Sequence, residues 1–158
     1  MYGIAPIRLT GVSQVTATLG ANDPQIGDEA QEGSTKYLFV YNDCNSSLAV
    51  GNGVVLTSGA TGYSVTISSV TGDRILGVVK NAAITTGAYG WVVTKGFTSV
   101  QMMAASGTAS AAQTPLQIAA NGLFAPASNV TGNAGGVLGW SLAVIASSAS
   151  GAAYISVY

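Results

Sequence analysis

The sequence predicts an all-β protein, a small β-barrel, β-tulip-like or sandwich domain of about ten short strands, preceded by an extended N-terminal arm. Three observations predict it. From position 36 onward, short aromatic and β-branched runs recur at intervals of roughly 8–12 residues, with Gly, Asn and Asp turn signals between them. The composition is 48% hydrophobic and 7% charged, with 21 Gly and no His, whereas globular chains average about 25% charged residues. Finally, residues 75–96, ILGVVKNAAITTGAYGWVVTKG, have a degenerate second copy at residues 137–158, VLGWSLAVIASSASGAAYISVY. Leu76-Gly77 matches Leu138-Gly139, and Gly87-Ala88 is matched to Gly151-Ala152. The second pair of anchors stands further apart than the first, which implies a two-residue insertion.

Residues 1–34 differ from the rest. Ile4, Ile7, Leu9, Val12, Val15 and Leu19 follow neither a helical nor a strand period, and Gly3, Pro6, Gly11, Gly20 and Pro24 punctuate them. The polar stretch that follows holds Asp23, Asp28, Glu29 and Glu32, four of the six acids. These residues read as an extended arm and an acidic loop, or as an edge strand with an ordinary surface loop. Residues 35–158 read as one β-rich domain carrying the internal repeat.

Within that domain, KYLFVYN is a strand ended by Asn-Asp, and Gly51-Asn52-Gly53 is a tight turn between apolar runs. In GYSVTIS, Tyr63, Val65 and Ile67 alternate with Ser64, Thr66 and Ser68, the pattern of a half-buried strand. RILGVVK, YGWVVTKG and FTSVQMM continue the series. AASGTASAAQTP reads as a loop, because Gly107, Thr108 and Ser110 lower its helix propensity. Asn121-Gly122 joins PLQIA to GLFAPAS as a hairpin, and VLGWSLAVIA and AAYISVY close the chain.

The charges exclude several functions. All five cations (Arg8, Lys36, Arg74, Lys80, Lys95) and all six anions lie before position 96, so the C-terminal segment is neutral. A net charge of −1 with scattered cations argues against nucleic acid, which requires a clustered basic footprint. No apolar run is long enough to span a membrane, and MYGIAPIRLTG lacks the pattern of a secretory signal. Cys44 is the single cysteine and has no internal disulfide partner, which fits folding in a reducing cytoplasm.

Catalytic chemistry is also hard to assemble. Without His there is no Ser-His or Cys-His pair to activate a nucleophile. Asp23, Asp28, Glu29 and Glu32 supply oxygens, but without the regular spacing of a calcium loop or the apolar pocket that lifts a carboxyl pKa. The expectation is no enzyme activity, no cofactor and no metal. Tyr89, Trp91, Phe97 and Trp140 are aromatic anchors for a core or an interface, or platforms for a sugar ring.

LAVGNGVVLTSG, RILGVVKNAAITTGAYGWVVTKGFTSV and VLGWSLAVIASSASGAAYISVY, taken in that order, resemble the small capsid decoration (cement) proteins of tailed bacteriophages over about residues 36–158. Residues 75–97 are comparable to the strand, Thr/Ser connection and Lys-Ser-Gly-Thr-Phe ending of the lambda-type head-stabilising protein. This arm lacks the Thr/Ser/Pro/Ala-rich character of that type, and Trp140 stands where a small or aliphatic residue is usual. The resemblance implies a homotrimer on the outside of an icosahedral virion, made in the host cytoplasm, with the major capsid protein and itself as partners. It implies no contact with nucleic acid or membrane. The residues expected to meet the shell or a neighbouring subunit are Tyr2, Ile4, Ile7, Arg8, Leu9 and Val12 of the arm, with Trp91, Phe97 and Trp140 of the domain. A head-fibre or tail-associated module that binds a host receptor or glycan is the alternative.

Overall fold

All strands in the described residues join one hydrogen-bonded sheet that closes on itself twice. The computed structural model describes residues 16–21, 23–57, 62–68, 74–80, 82–104, 108–109, 111–127 and 137–157. Its strands are β1 (Glu29–Glu32), β2 (Thr35–Asn42), β3 (Gly53–Leu56), β4 (Ser64–Ile67) and β5 (Gly77–Val79), then β6 (Tyr89–Gln101), β7 (Pro115–Ile118), β8 (Phe124–Pro126), β9 (Gly139–Ser141) and β10 (Ser150–Ser156). The protein is all-β, and no helix in the described residues is long and apolar enough to cross a membrane.

The first closure runs β2–β4–β3–β5–β6 and back to β2, with only the β2–β4 pair parallel. The second runs β6–β10–β9–β7–β8 and returns to the end of β6 through the parallel bridge Met102↔Phe124. Two five-stranded barrels therefore share β6, a 13-residue strand long enough to serve both. Gly96 marks the junction. Its φ is +118°, and a Cβ there would lie 2.7 Å from the Thr35 backbone, so only glycine lets β6 pass β2 at this point.

The two barrels are copies of one unit. The ladder Gly53↔Val78, Val54↔Gly77 recurs in the second barrel as Pro115↔Trp140, Leu116↔Gly139. The bridge Leu48↔Ile84 recurs as Ala109↔Ile145. The bond from Gly51 N–H to the Val79 carbonyl (2.9 Å) recurs from Gln113 N–H to the Ser141 carbonyl (2.7 Å). Left-handed backbone appears at equivalent places, with Gly51 at φ 89° and Gln113 at 62°, and Gly87 at 73° and Ser148 at 60°.

This equivalence corrects the second sequence anchor. The counterpart of Gly87 is Ser148, and Gly151 corresponds to Gly90. Both of the latter face an isoleucine: a Cβ on Gly90 would lie 2.7 Å from Ile84, and one on Gly151 would lie 2.5 Å from Ile145. The copies therefore differ by the loss of one residue between the two anchors, not by a two-residue insertion. The repeat also reaches well beyond residues 75–96 and 137–158, taking in β2 through the first half of β6, and the second half of β6 through β10.

Each barrel has its own apolar filling. Leu38, Val40, Leu48, Val54, Val65, Val79, Ile84 and Val92 fill the first. Val100, Met102, Leu116, Ile118, Phe124, Ile145, Ala153 and Ile155 fill the second, and Ile75 and Val78 on the outer wall of the first barrel join this cluster. A third cluster, of Ala30, Tyr37, Phe39, Trp91 and Val93, lies on the outer face of β1, β2 and β6, with Leu19 packed against it. Burial of nonpolar area at this scale is the main driving force for such a fold. Asn42 is a buried polar exception. Its Nδ2 donates to the carbonyls of Ile84 (2.8 Å) and Ser46 (3.0 Å), and its Oδ1 accepts from Cys44 N–H (2.9 Å).

Two further readings change. Residues 29–32, read as the end of the acidic loop, form β1 and pair with β2 from Glu29↔Leu38 to Glu32↔Thr35. YGWVVTKG and FTSVQMM, read as successive strands, are one strand through residue 101. The Asn121-Gly122 hairpin is present, with both residues in the left-handed region at φ 61° and 68°.

Candidate interaction surface

The repeat turns one row of side chains into an internal control. In the first barrel, Tyr37, Val93, Val78 and Gly53 stand in register across β2, β6, β5 and β3. In the second, Phe97, Tyr154, Trp140 and Pro115 occupy the same places across β6, β10, β9 and β7. Both rows face outward. The first is fully covered, with Tyr37 at 1% exposure, Val78 and Val93 at 0%, and Gly53 buried. The second is open, with Phe97 at 50% exposure, Trp140 at 44%, Tyr154 half-buried and Pro115 exposed.

Two neighbours close the first row. Ala30 of β1, the ladder partner of Tyr37, extends it on one side and shares a buried cluster with Tyr37 and Val93, against which Leu19 packs. Ile118 of the second barrel closes over Gly53, where a Cβ would lie 2.6 Å from Ile118 Cδ1. A polar chain fastens the edge: Lys80 Nζ donates to Tyr37 Oη (3.0 Å) and to the Phe97 carbonyl (3.2 Å), and Tyr37 Oη donates to Glu32 Oε2 (3.3 Å). In the second barrel this chain is replaced by apolar groups. Phe97 stands for Tyr37, and Leu142, at the place of Lys80, is 44% exposed. Phe97 and Tyr154 meet edge to face at 5.3 Å, so the open row is an ordered aromatic surface. Val137, the counterpart of Ile75, extends it at 49% exposure.

The anchors expected from sequence separate accordingly. Phe97 and Trp140 lie in the open row. Trp91 does not reach the surface: it is 3% exposed and packs at 4.9 Å on Phe39 in a cluster on the outer face of β2 and β6, against which Leu19 packs while Thr16 bridges to Tyr89. Tyr89 belongs to the same stack, 6.2 Å from Phe39 and 5.0 Å from Tyr41. Tyr2, Ile4, Ile7, Arg8, Leu9 and Val12 lie outside the described residues. Sequence reading missed Tyr154 and Pro115. Only the alternating aromatic pattern of AAYISVY pointed to Tyr154, and nothing local pointed to Pro115.

The acidic residues hold turns. Asp23 Oδ2 accepts from Gly20 N–H (2.7 Å) and Asp28 Oδ2 from Gln25 N–H (2.8 Å), while Glu32 serves Tyr37. Among the described residues no three His, Cys, Asp or Glu side chains come together as a metal site. Glu29, Gln31, Lys36, Thr94 and Val157 border an open groove of about 480 Å³ that holds none of the aromatic row. Burial raises the pKa of the Cys44 thiol, but hydrogen bonds from Ser46, Thr66 and the Ile67 and Ser46 backbone outweigh this and bring it down to about 7.

Fold and surface together define a class of architecture: a β-barrel pair whose second barrel carries an exposed aromatic row, Phe97, Tyr154 and Trp140, on its outer wall. No protein-family model matches the chain, and no characterised protein matches it in sequence. Among solved structures, the fold is similar to the crystal structure of the head fibre gp8.5 N base of bacteriophage phi29. The TM-score is 0.55 at 11% identity, covering 76% of this chain and 94% of that one.

Proposed function

We propose that this chain is a structural protein of a phage head, carried on the outer surface of the virion, where it decorates the capsid and cements neighbouring capsomers. The observation that carries the reading is the likeness of nearly the whole phi29 head-fibre base to this barrel pair. The sequence features agree with it: a neutral, Gly-rich β chain without His is suited to burying surface rather than to turning over a substrate. In this reading its partners are the major capsid protein and further copies of itself, as a homotrimer. At about 25 cal/mol per Å² of apolar area, an interface of order 1,000 Å² per copy offsets association costs and gains from repetition over the shell.

A second reading has a specific observation behind it. The structural neighbour is a fibre base, so this chain would instead seat a fibre that reaches a host receptor or glycan. Adding purified protein to expanded shells that lack it separates the two. Cementing predicts saturable binding and shells that survive more heat or chelator. Saturable binding without added resistance favours the fibre seat, and no binding refutes both.

A further inference from the structure

We infer that the groove at the open end of the first barrel is a binding site for a neutral saccharide, held between the Tyr63 ring and the polar side chains of Glu29, Gln31 and Lys36. The inference goes beyond the capsid role: it concerns the isolated chain and needs no shell.

The site is built by the pairing of β1 with the start of β2. Residues directly opposite in a ladder share a face of the sheet, so Glu29 stands beside Leu38 and Gln31 beside Lys36 on the face that lines the first barrel. With Thr94, Leu76 and Tyr63 they border the groove of about 480 Å³, within the ~300–1,000 Å³ of small-ligand sites, which favour barrel mouths. The repeat supplies the control, because the same end of the second barrel is stopped. By register Phe124 stands for Val65, Ile118 for Leu56 and Gly122 for Tyr63, and Ile155 follows Tyr154 as Thr94 follows Val93. Phe124, Ile118 and Ile155 are fully buried, and Ile118 and Gly122 lie against the first barrel at Gly53. In the first barrel Leu56 stays 50% exposed and Tyr63 39%.

The chemistry of the lining selects the ligand. Its two charged residues, Glu29 and Lys36, are diagonal neighbours on one face and have no side-chain partner among the described residues. Gln31 Nε2 donates to the Gly33 carbonyl (2.8 Å), which leaves its Oε1 free to accept. Tyr63 supplies the apolar part. Gly27, at φ +91°, lies against its ring, where a Cβ would stand 2.7 Å from two ring carbons, so the backbone holds the ring in place. A sugar matches both parts: its hydroxyls donate and accept, and its C–H face packs on an aromatic ring. The carboxylate and the ammonium balance, so the groove does not favour net charge. An apolar ligand would leave both charges unpaired, and a phosphate would meet Glu29.

The experiment is a titration of the isotope-labelled full-length chain with maltotriose, triacetylchitotriose and inorganic phosphate, read by amide NMR shifts. At least one trisaccharide is expected to bind with a Kd of about 1 mM or tighter. The shifts should centre on residues 29–31, 36, 63 and 94 and spare the aromatic row. Tyr63→Ala, Glu29→Ala and Thr94→Ile should each weaken binding at least about tenfold, the last by bringing in the side chain that the second barrel uses. Trp140→Ser, away from the groove, should bind as wild type. Glu29 and Tyr63 are exposed and Thr94 half-buried, so urea midpoints should stay near wild type, and Glu29→Ala keeps the test sound even where a Tyr63 variant unfolds. No trisaccharide binding at about ten times that concentration, shifts centred on Trp140, or phosphate binding the groove more tightly than either sugar would each overturn the assignment. Shell binding without sugar binding removes this site and leaves the capsid reading standing; sugar binding without shell binding does the reverse.

Discussion

Ile84 and Gly90 offer a sharp test of why the barrels contain glycine where they do. Ile84 is fully buried and bridges to Leu48 in the first barrel, with Gly90 of β6 against its side chain. Ile84→Ala removes three buried carbons, about 2.4 kcal/mol at ~0.8 kcal/mol each, and the cavity left behind brings the cost to about 3–4 kcal/mol. Gly90→Ala costs for the opposite reason. Its φ lies outside the left-handed region, so the backbone accepts Ala, but the new methyl would sit 2.7 Å from two carbons of Ile84. Overpacking of this kind costs about 2 kcal/mol. In the double variant the clash is gone and the methyl fills part of the cavity. The expected total is about 3 kcal/mol instead of the additive 5–6, a coupling of about 2 kcal/mol. Urea unfolding of the four proteins measures it. Additivity to within about 0.5 kcal/mol, the margin for independent sites, would show that Gly90 is not there to make room for Ile84. It would also remove the physical basis for equating Gly90 with Gly151.

Other expectations follow from single residues. Asn42→Ala removes three hydrogen bonds of a fully buried side chain, though the Ile84 carbonyl keeps its bond from Leu48 N–H, and should cost about 2 kcal/mol in urea unfolding. Ser148→Gly should stabilise by about 1 kcal/mol, since a left-handed residue with a Cβ is strained, and Gly87→Ser should cost a similar amount at the equivalent turn. Cys44 should react with iodoacetamide along a titration centred at about pH 7, rising from pH 6 and flat above about pH 8. The sign for stability agrees: a thiol pKa depressed on folding contributes above its unfolded pKa, near 8.5, and loses that contribution as pH falls through about 7. A labelling rate still climbing beyond pH 8.5 would contradict that environment.

Much of the barrel framework was legible because strand formation is local. KYLFVYN, GYSVTIS and the Asn121-Gly122 hairpin carry their own signals, and all three form as read. The repeat was legible only where identity survived, at Leu76-Gly77 and Leu138-Gly139. Elsewhere equivalent places hold different residues, Leu48 against Ala109 and Val78 against Trp140, because a barrel interior redistributes volume among neighbours and an outer wall follows whatever covers it. Matching Gly87 to Gly151 failed for a related reason. One glycine serves a left-handed turn and the other makes space for an isoleucine, and sequence identity does not distinguish the two demands.

The sequence by itself determined the all-β class, most strand positions, the absence of any His-based chemistry and the concentration of charge before position 96. These depend on side-chain type and on neighbours a few residues apart. Tertiary structure alone decided that β6 belongs to two barrels, that Trp91 lies inside while Trp140 lies outside, and that Phe97, Tyr154, Trp140 and Pro115 form one row. The reason is that barrel closure uses pairings between residues far apart in the chain, the parallel contacts of β2 with β4 and of Met102 with Phe124. A side chain's exposure then depends on which distant residues lie against it, Leu19 and Ile118 in one barrel, whereas Phe97 and Trp140 in the other stay about half exposed.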